Sequence, residues 1–143
     1  MIKIVVLNNT NIDANIQNQV SELFKQLSPN KRQSRLDEVL TENNKVSVLA
    51  CFIGDRIVGI ASMAVYRVIS GSKGWIEDVV VDKDYRGMGI GRKLIEKLLA
   101  ISIEQQLIEV LLFTEEHRTS AIELYEKLGF NKRDSNIYIL KKR

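Results

Sequence analysis

The chain has 143 residues, 45% of them hydrophobic and 27% charged, with 21 lysines and arginines against 18 acids for a net charge of +3. That size and balance suit a single globular domain over residues 1–143. The basic residues are too dispersed for a nucleic-acid surface, and no apolar run is long enough to cross a bilayer. The first residues lack a basic segment followed by an apolar one, which leads us to expect a cytoplasmic protein. Cys51 is the only cysteine, so an internal disulfide is excluded and no metal-ligand spacing exists.

In chain order, Ile2–Leu7 (IKIVVL) reads as a first strand. Residues 11–27 carry Ile16, Val20, Leu23, Phe24 and Leu27 at helical spacing, and 34–43 form a shorter helix with Leu36, Val39 and Leu40 on one face. Pro29, the only proline, punctuates the turn between them. Residues 45–53 and 56–69 read as two strands joined at Gly54-Asp55, with Cys51 as a small core residue, and 74–82 (GWIEDVVVD) as another strand. A long helix follows at 90–106, with Leu94, Ile95, Leu98, Leu99 and Ile101 as its buried stripe. The continuous apolar run at 108–114 reads as a strand covered on both faces, 118–129 as a helix ended by a C′ glycine, Gly129, and 130–142 as a final strand pair or one bent strand. The basic C-terminal run reads as a solvated end rather than a nucleic-acid site. The fold expected is α/β (α+β): a mixed, mostly antiparallel central sheet of six to seven strands with helices on both faces. A β-α-β crossover runs from Val81 to Val110.

The chemistry concentrates in VVVDKDYRGMGIGRK. Gly87, Gly89 and Gly91 alternate where a strand hands over to a helix, although glycine costs about 1 kcal/mol inside a helix relative to alanine. A helix start offers free N–H groups and the positive end of the helix dipole, and missing Cβ atoms let an anion approach. Arg86 and Arg92 add charge on either side. A turn that only needed positive φ would require one glycine, so the pattern reads as a pyrophosphate cradle. It is neither a P-loop, whose G-x-x-x-x-G-K-[ST] is absent, nor the dinucleotide G-x-G-x-x-G.

RGMGIG, Arg86 to Gly91, resembles the Q/R-x-x-G-x-G/A signature of the GNAT superfamily of N-acetyltransferases. VVVDKDY before it is similar to that family's fourth strand, and AIELYEKLGF, Ala121 to Phe130, to its closing motif. The resemblance implies acetyl-CoA as co-substrate and no metal. Amides across Arg86, Gly87, Met88, Gly89, Ile90, Gly91 and Arg92 would hold its pyrophosphate. Its pantetheine arm would lie along Val79, Val80 and Val81, admitted by a splay from the strand at 108–114. It also implies Tyr125 as the acid that protonates the departing thiolate. Where the family often has asparagine, seven residues before the tyrosine, this chain has Arg118, which instead could reach a phosphate or an anionic substrate.

Acetyl transfer to an amine also needs a base, because an alkylamine has a pKa of about 10.4. Glu77 and Asp78 are candidates for base and amine binding, since two adjacent acids in an apolar strand are costly if buried without a partner. Simple alternation places Glu77 on the face of Val79 and Val81, with Asp78 opposite. GWIEDVVVD also resembles the glucosamine-6-phosphate N-acetyltransferases, in which an acidic pair on this strand meets substrate. Trp75 and Tyr66 read either as pocket wall or as packing, and His117 as a surface or capping histidine. The expected activity is direct transfer to a primary amine of a small-molecule acceptor, with no nucleic-acid or membrane partner and with room for a homodimer. A protein or peptide acceptor, and a non-catalytic acyl-CoA-binding module, are the competing readings.

Overall fold

The computed structural model describes residues 1–142. They fall into two compact units, Met1–Phe113 and the chain from Thr114 onward.

The first unit is built on a five-stranded sheet with strands in sequence order: β1 (Ile2–Leu7), β2 (Val46–Ile53), β3 (Arg56–Val68), β4 (Gly71–Val81) and β5 (Glu109–Leu112). The first four are antiparallel neighbours, because short turns join β2 to β3 and β3 to β4. β5 is parallel to β4, because helix α3 (Ile90–Glu104) carries the chain back between them. Gly54 turns β2 into β3 at φ +59°, a left-handed conformation that glycine adopts without penalty.

Helices cover both faces. On one, α1 (Ala14–Leu27), started by the Asp13 carboxylate accepting from the Ile16 N–H at 2.8 Å, sets Val20 and Leu23 against Val48, Ala50, Ile57, Ile60 and Val80. The one-turn helix α2 (Leu36–Val39) adds Leu36, with Leu40 just after it. On the other face α3 buries Leu94, Ile95, Leu98 and Ile101, as its periodicity predicts. It comes so close to β3 that a Cβ at Gly59 would lie 2.8 Å from Ile90 Cγ2 and 3.1 Å from Leu94 Cδ1. Cys51 is fully buried in this sheet, and its thiol pKa is raised by that burial.

The second unit holds helix α4 (Thr119–Lys127) and the segment beyond it. Gly129 ends the helix at φ +100°. Its N–H bonds the Glu126 carbonyl at 3.1 Å, and the Phe130 N–H bonds the Tyr125 carbonyl at 3.0 Å. This is the Schellman pairing that a C′ glycine allows.

The sheet has five strands, not six to seven. Residues 130–142, expected as a strand pair, form no strand, and Ile137, Tyr138, Ile139 and Leu140 are exposed. β-propensity does not order a strand without a neighbour to bond and apolar area to bury. The terminal basic run reaches Arg143, which lies outside the described residues; Lys141 and Lys142 are exposed. No helix among the described residues is long and apolar enough to cross a membrane.

Candidate functional site

The site is organised by where β4 outlasts its neighbour. Pairing with β5 runs from Lys73 opposite Glu109 to Ile76 opposite Leu112 and stops there, while β4 continues to Val81. From Glu77 onward its peptide groups on the β5 side have no strand to bond. β4 thus runs past the end of β5 along Val79–Val81, the stretch where a splay is expected.

A second irregularity sits at the same point. Along β3, Ile60 pairs with Val80 but Ser62 with Glu77, so β4 carries one extra residue. The bulge falls at Asp78, whose φ of +56° is a left-handed conformation that side chains disfavour. The bulge corrects the simple alternation. Ile60 and Ser62 share the face covered by α1, so Glu77 lies with Val80 on that face, and Val81, opposite Gly59, lies on the α3 face. Trp75, opposite Ala64, is half-buried on the same face as Glu77.

Glu77 and Asp78 are both exposed, and among the described residues neither makes a side-chain hydrogen bond. Both carboxyls are nonetheless raised above the ordinary carboxylate range. For Glu77 the causes are partial desolvation, then repulsion from Asp78; for Asp78 desolvation leads, and Lys31 draws both back down. A carboxylate lifted in this way is a stronger base.

Beyond β4 the chain makes a 3-10 turn, Lys83–Tyr85, then Arg86, then the glycines. Gly87 and Gly89 both have positive φ, +82° and +78°, and a Cβ on either would have nothing within 4 Å. No packing therefore forces glycine here, and the space beside both backbones is open. Gly89 is the N-cap of α3 and provides no side-chain cap, and no acid lies in the first turn. The N–H groups of Ile90, Gly91 and Arg92 have no intrahelical acceptor at a helix start. Gly91 lies within the first turn of α3 rather than in the loop. The flanking arginines are partly engaged: Arg86 Nε donates to the Val81 carbonyl at 3.2 Å, and Arg92 Nε lies 3.6 Å from a Glu96 carboxylate oxygen.

The residue that fixes this turn was not among the sequence candidates. Asp82 is 6% exposed. One carboxylate oxygen accepts from the Asp84 N–H at 2.9 Å and the other from Arg56 at 3.3 Å. Beside it, Gln26 accepts the Lys83 N–H at 3.0 Å. The bonds to Asp82, led by the Asp84 N–H, hold its pKa below the ordinary carboxylate value. Arg56 lies over the Tyr85 ring at 5.3 Å. The D-x-D spacing before the glycines is the only trace of this in the sequence.

In the second unit, Tyr125 is half-buried on α4, with its ring edge-on to Phe130 at 6.0 Å between centroids. Burial raises its phenol pKa, and the positive charge of Arg118 opposes that shift. Arg118 stands at the N-cap position of α4 without capping it. His117 is exposed, with Nδ1 3.3 Å from Glu115, a surface histidine as expected. No cluster of metal-ligating side chains occurs among the described residues.

A mixed sheet whose fourth strand outruns the fifth thus leads into an uncapped, glycine-led helix. Residues 16–130 match the Acetyltransferase (GNAT) family. The chain belongs to that family. It is 44% identical over 78 residues to a glucosamine 6-phosphate N-acetyltransferase of Trypanosoma brucei brucei, a match covering 52% of this chain and 51% of that protein. The chain thus spans about half the length of that relative. The crystal structure of an acetyltransferase from Trypanosoma brucei superposes with a TM-score of 0.80 at 27% identity, covering 99% of this chain and all of that one. An aminoglycoside acetyltransferase from an uncultured soil metagenomic sample gives a TM-score of 0.83 at 21% identity, over 99% and 96% of the two chains, a likeness of fold.

Proposed function

We propose that this protein transfers an acetyl group from acetyl-CoA directly to the primary amine of a small-molecule acceptor, its two units serving one reaction as a single acetyltransferase domain. The observation that carries this reading is the uncapped, glycine-led start of α3 at the end of β4, where β4 has outrun β5. The acceptor class rests on the 44% identical relative, which by name acetylates an amino-sugar phosphate.

Bound acetyl-CoA supplies the activated thioester. The backbone N–H groups from Arg86 to Arg92, Met88 and Ile90 among them, hold its pyrophosphate at the positive end of the α3 dipole, and Arg118 supplies a further cation for a phosphate. The free edge of β4 at Val79, Val80 and Val81 bonds the amides of the arm. An N–H of this stretch stabilises the negative charge that builds on the acetyl oxygen. Glu77 accepts the proton of the acceptor ammonium, with Asp78 and Trp75 shaping the place where the amine sits. As the carbon–sulfur bond breaks, Tyr125 would give its proton to sulfur, and its phenolate would take up the second proton that the nitrogen sheds in becoming the amide. The raised pKa of Tyr125 keeps it protonated at neutral pH, as an acid must be.

Gly89→Arg tests the cradle. The arginine would project into the open space beside Gly89, and calorimetric titration with CoA should show binding lost. Gly89→Ala, which carries the same strain of positive φ with little bulk, should keep measurable affinity. Unchanged affinity in Gly89→Arg would overturn the pyrophosphate assignment. A thiol-release assay against amino sugars, their phosphates, polyamines and lysine peptides then identifies the acceptor. Turnover of lysine peptides alone would refute the small-molecule reading.

A further inference from the structure

At the C-terminal end of α3, on the sheet face away from Glu77, lies a cavity of about 380 Å³ that no step of acetyl transfer uses. Its place follows from the strand register. Gly59 and Gly74 face α3, since a Cβ on Gly59 would meet Ile90 and one on Gly74 would meet Leu107. Alternation along β3 sets Val65 and Arg67 on that face, and pairing adds Ser72 opposite Arg67 and Ser47 opposite Met63. Leu107, just past α3, closes the cavity from the helix side, and Glu42 and Lys45 enter it from the segment before β2. The glycine-led cradle lies at the other end of α3, roughly 22 Å away for a helix of 15 residues.

Glu42, Lys45 and Arg67 are the charged groups of the lining, and among the described residues none of the three forms an ion pair. Arg67 is nonetheless oriented. Its Nε donates to Ser72 Oγ at 3.0 Å, which leaves both terminal nitrogens to grip a carboxylate. Lys45 extends the β2–β3 pairing, its carbonyl accepting the Val65 N–H at 2.9 Å. Arg67 is therefore its diagonal neighbour, with Cβ atoms roughly 7 Å apart. Two cations at that spacing suit two separate anionic groups. Glu42 would repel both groups unless the same ligand also brought it a cation. We propose that this cavity binds a small amino dicarboxylate, of the glutamate or aspartate class, whose two negative charges and one positive charge complement the lining. Arg67 takes one carboxylate through two parallel N–H bonds and Lys45 takes the other. Glu42 accepts from the ammonium, and Val65 and Leu107 pack on the methylene carbons. The volume lies within the range of small-molecule sites.

Calorimetric titration of the full chain with glutamate, in the absence of CoA, should show one molecule bound, and glutamate should raise the melting temperature, as any ligand of the folded state does. Glutarate, which lacks the ammonium, and alanine, which lacks the second carboxylate, should bind more weakly. Arg67→Gln and Lys45→Gln, both at exposed positions, should each weaken glutamate by roughly tenfold or more while leaving the CoA titration as in the parent. Glu42→Gln should erase the preference for glutamate over glutarate. Glu77→Gln should bind glutamate as the parent does, because Glu77 lies on the other face of the sheet. Three results would overturn the proposal. One is the absence of saturable binding up to about 10 mM glutamate. Another is glutarate binding as tightly as glutamate to the parent. The third is binding that survives Arg67→Gln and is lost in Glu77→Gln, which would put the amino acid at the acceptor position instead. None of these readouts needs acetyl transfer, so failure of this site and failure of the enzyme reading are distinguishable.

Discussion

Replacing Asp82 by alanine tests how the glycine loop is held. The side chain caps the 3-10 turn through the Asp84 N–H at 2.9 Å, and losing a cap costs about 1 kcal/mol. Its bond to Arg56 at 3.3 Å adds less than a buried ion pair would, because Arg56 is 57% exposed, so roughly 0.5 kcal/mol is reasonable. The total is about 1.5 kcal/mol, which for a chain of this length lowers the melting temperature by roughly 3–6 °C. Urea unfolding followed by circular dichroism measures it, with Asp82→Asn as the control. Asparagine keeps an acceptor for the Asp84 N–H and should lose only the pair with Arg56, about 0.5 kcal/mol. The pH dependence has a definite sign. The folded pKa of Asp82 is depressed, so its contribution is present above the ordinary carboxylate pKa and is lost as pH falls through the lower folded value. Parent and Asp82→Ala should therefore converge in stability in acid. A loss below about 0.5 kcal/mol at neutral pH, or a gap that widens in acid, would refute the assignment.

Tyr125→Phe should lower kcat by at least tenfold while CoA affinity, read by calorimetry, changes less than twofold; an equal fall in both would remove the acid role. Glu77 has a raised folded pKa, so ionised Glu77 opposes folding: its stabilising term is full below the unfolded pKa and lost as pH rises through the folded one. Glu77→Gln should therefore be as stable as the parent, or more so, at neutral pH in urea titrations, while turnover falls and the acid limb of the kcat profile disappears. Gly59→Val would drive side-chain atoms into Ile90 and Leu94, 2.8 and 3.1 Å from the Cβ position, and should cost about 1–3 kcal/mol in denaturant unfolding; a neutral result would mean that α3 can shift freely on the sheet.

Much of the fold was legible because local pattern and tertiary burial agree. The α1 and α3 stripes, the first four strands and the C′ role of Gly129 all follow from spacing and turn chemistry that the packed structure reinforces. The glycine loop was legible for a related reason: positive φ and a helix start leave a local signature. The face of Glu77 was not, because a bulge is decided by pairing with β3, and nothing within GWIEDVVVD marks Asp78 as the extra residue. Asp82 was missed because its burial and its pair with Arg56, 26 residues before it, are set by tertiary packing.

The sequence by itself determined which segments could be helix or strand and where a glycine-led helix start would fall, since these depend on side chains a few residues apart. Only the tertiary structure decided three further matters. β4 outruns β5 because the parallel pairing ends at Leu112. The bulge at Asp78 brings Val80, not Val81, onto the α1 face with Glu77. The apolar Ile137–Leu140 forms no strand, because a strand exists only by virtue of its neighbour, and propensity alone supplies none.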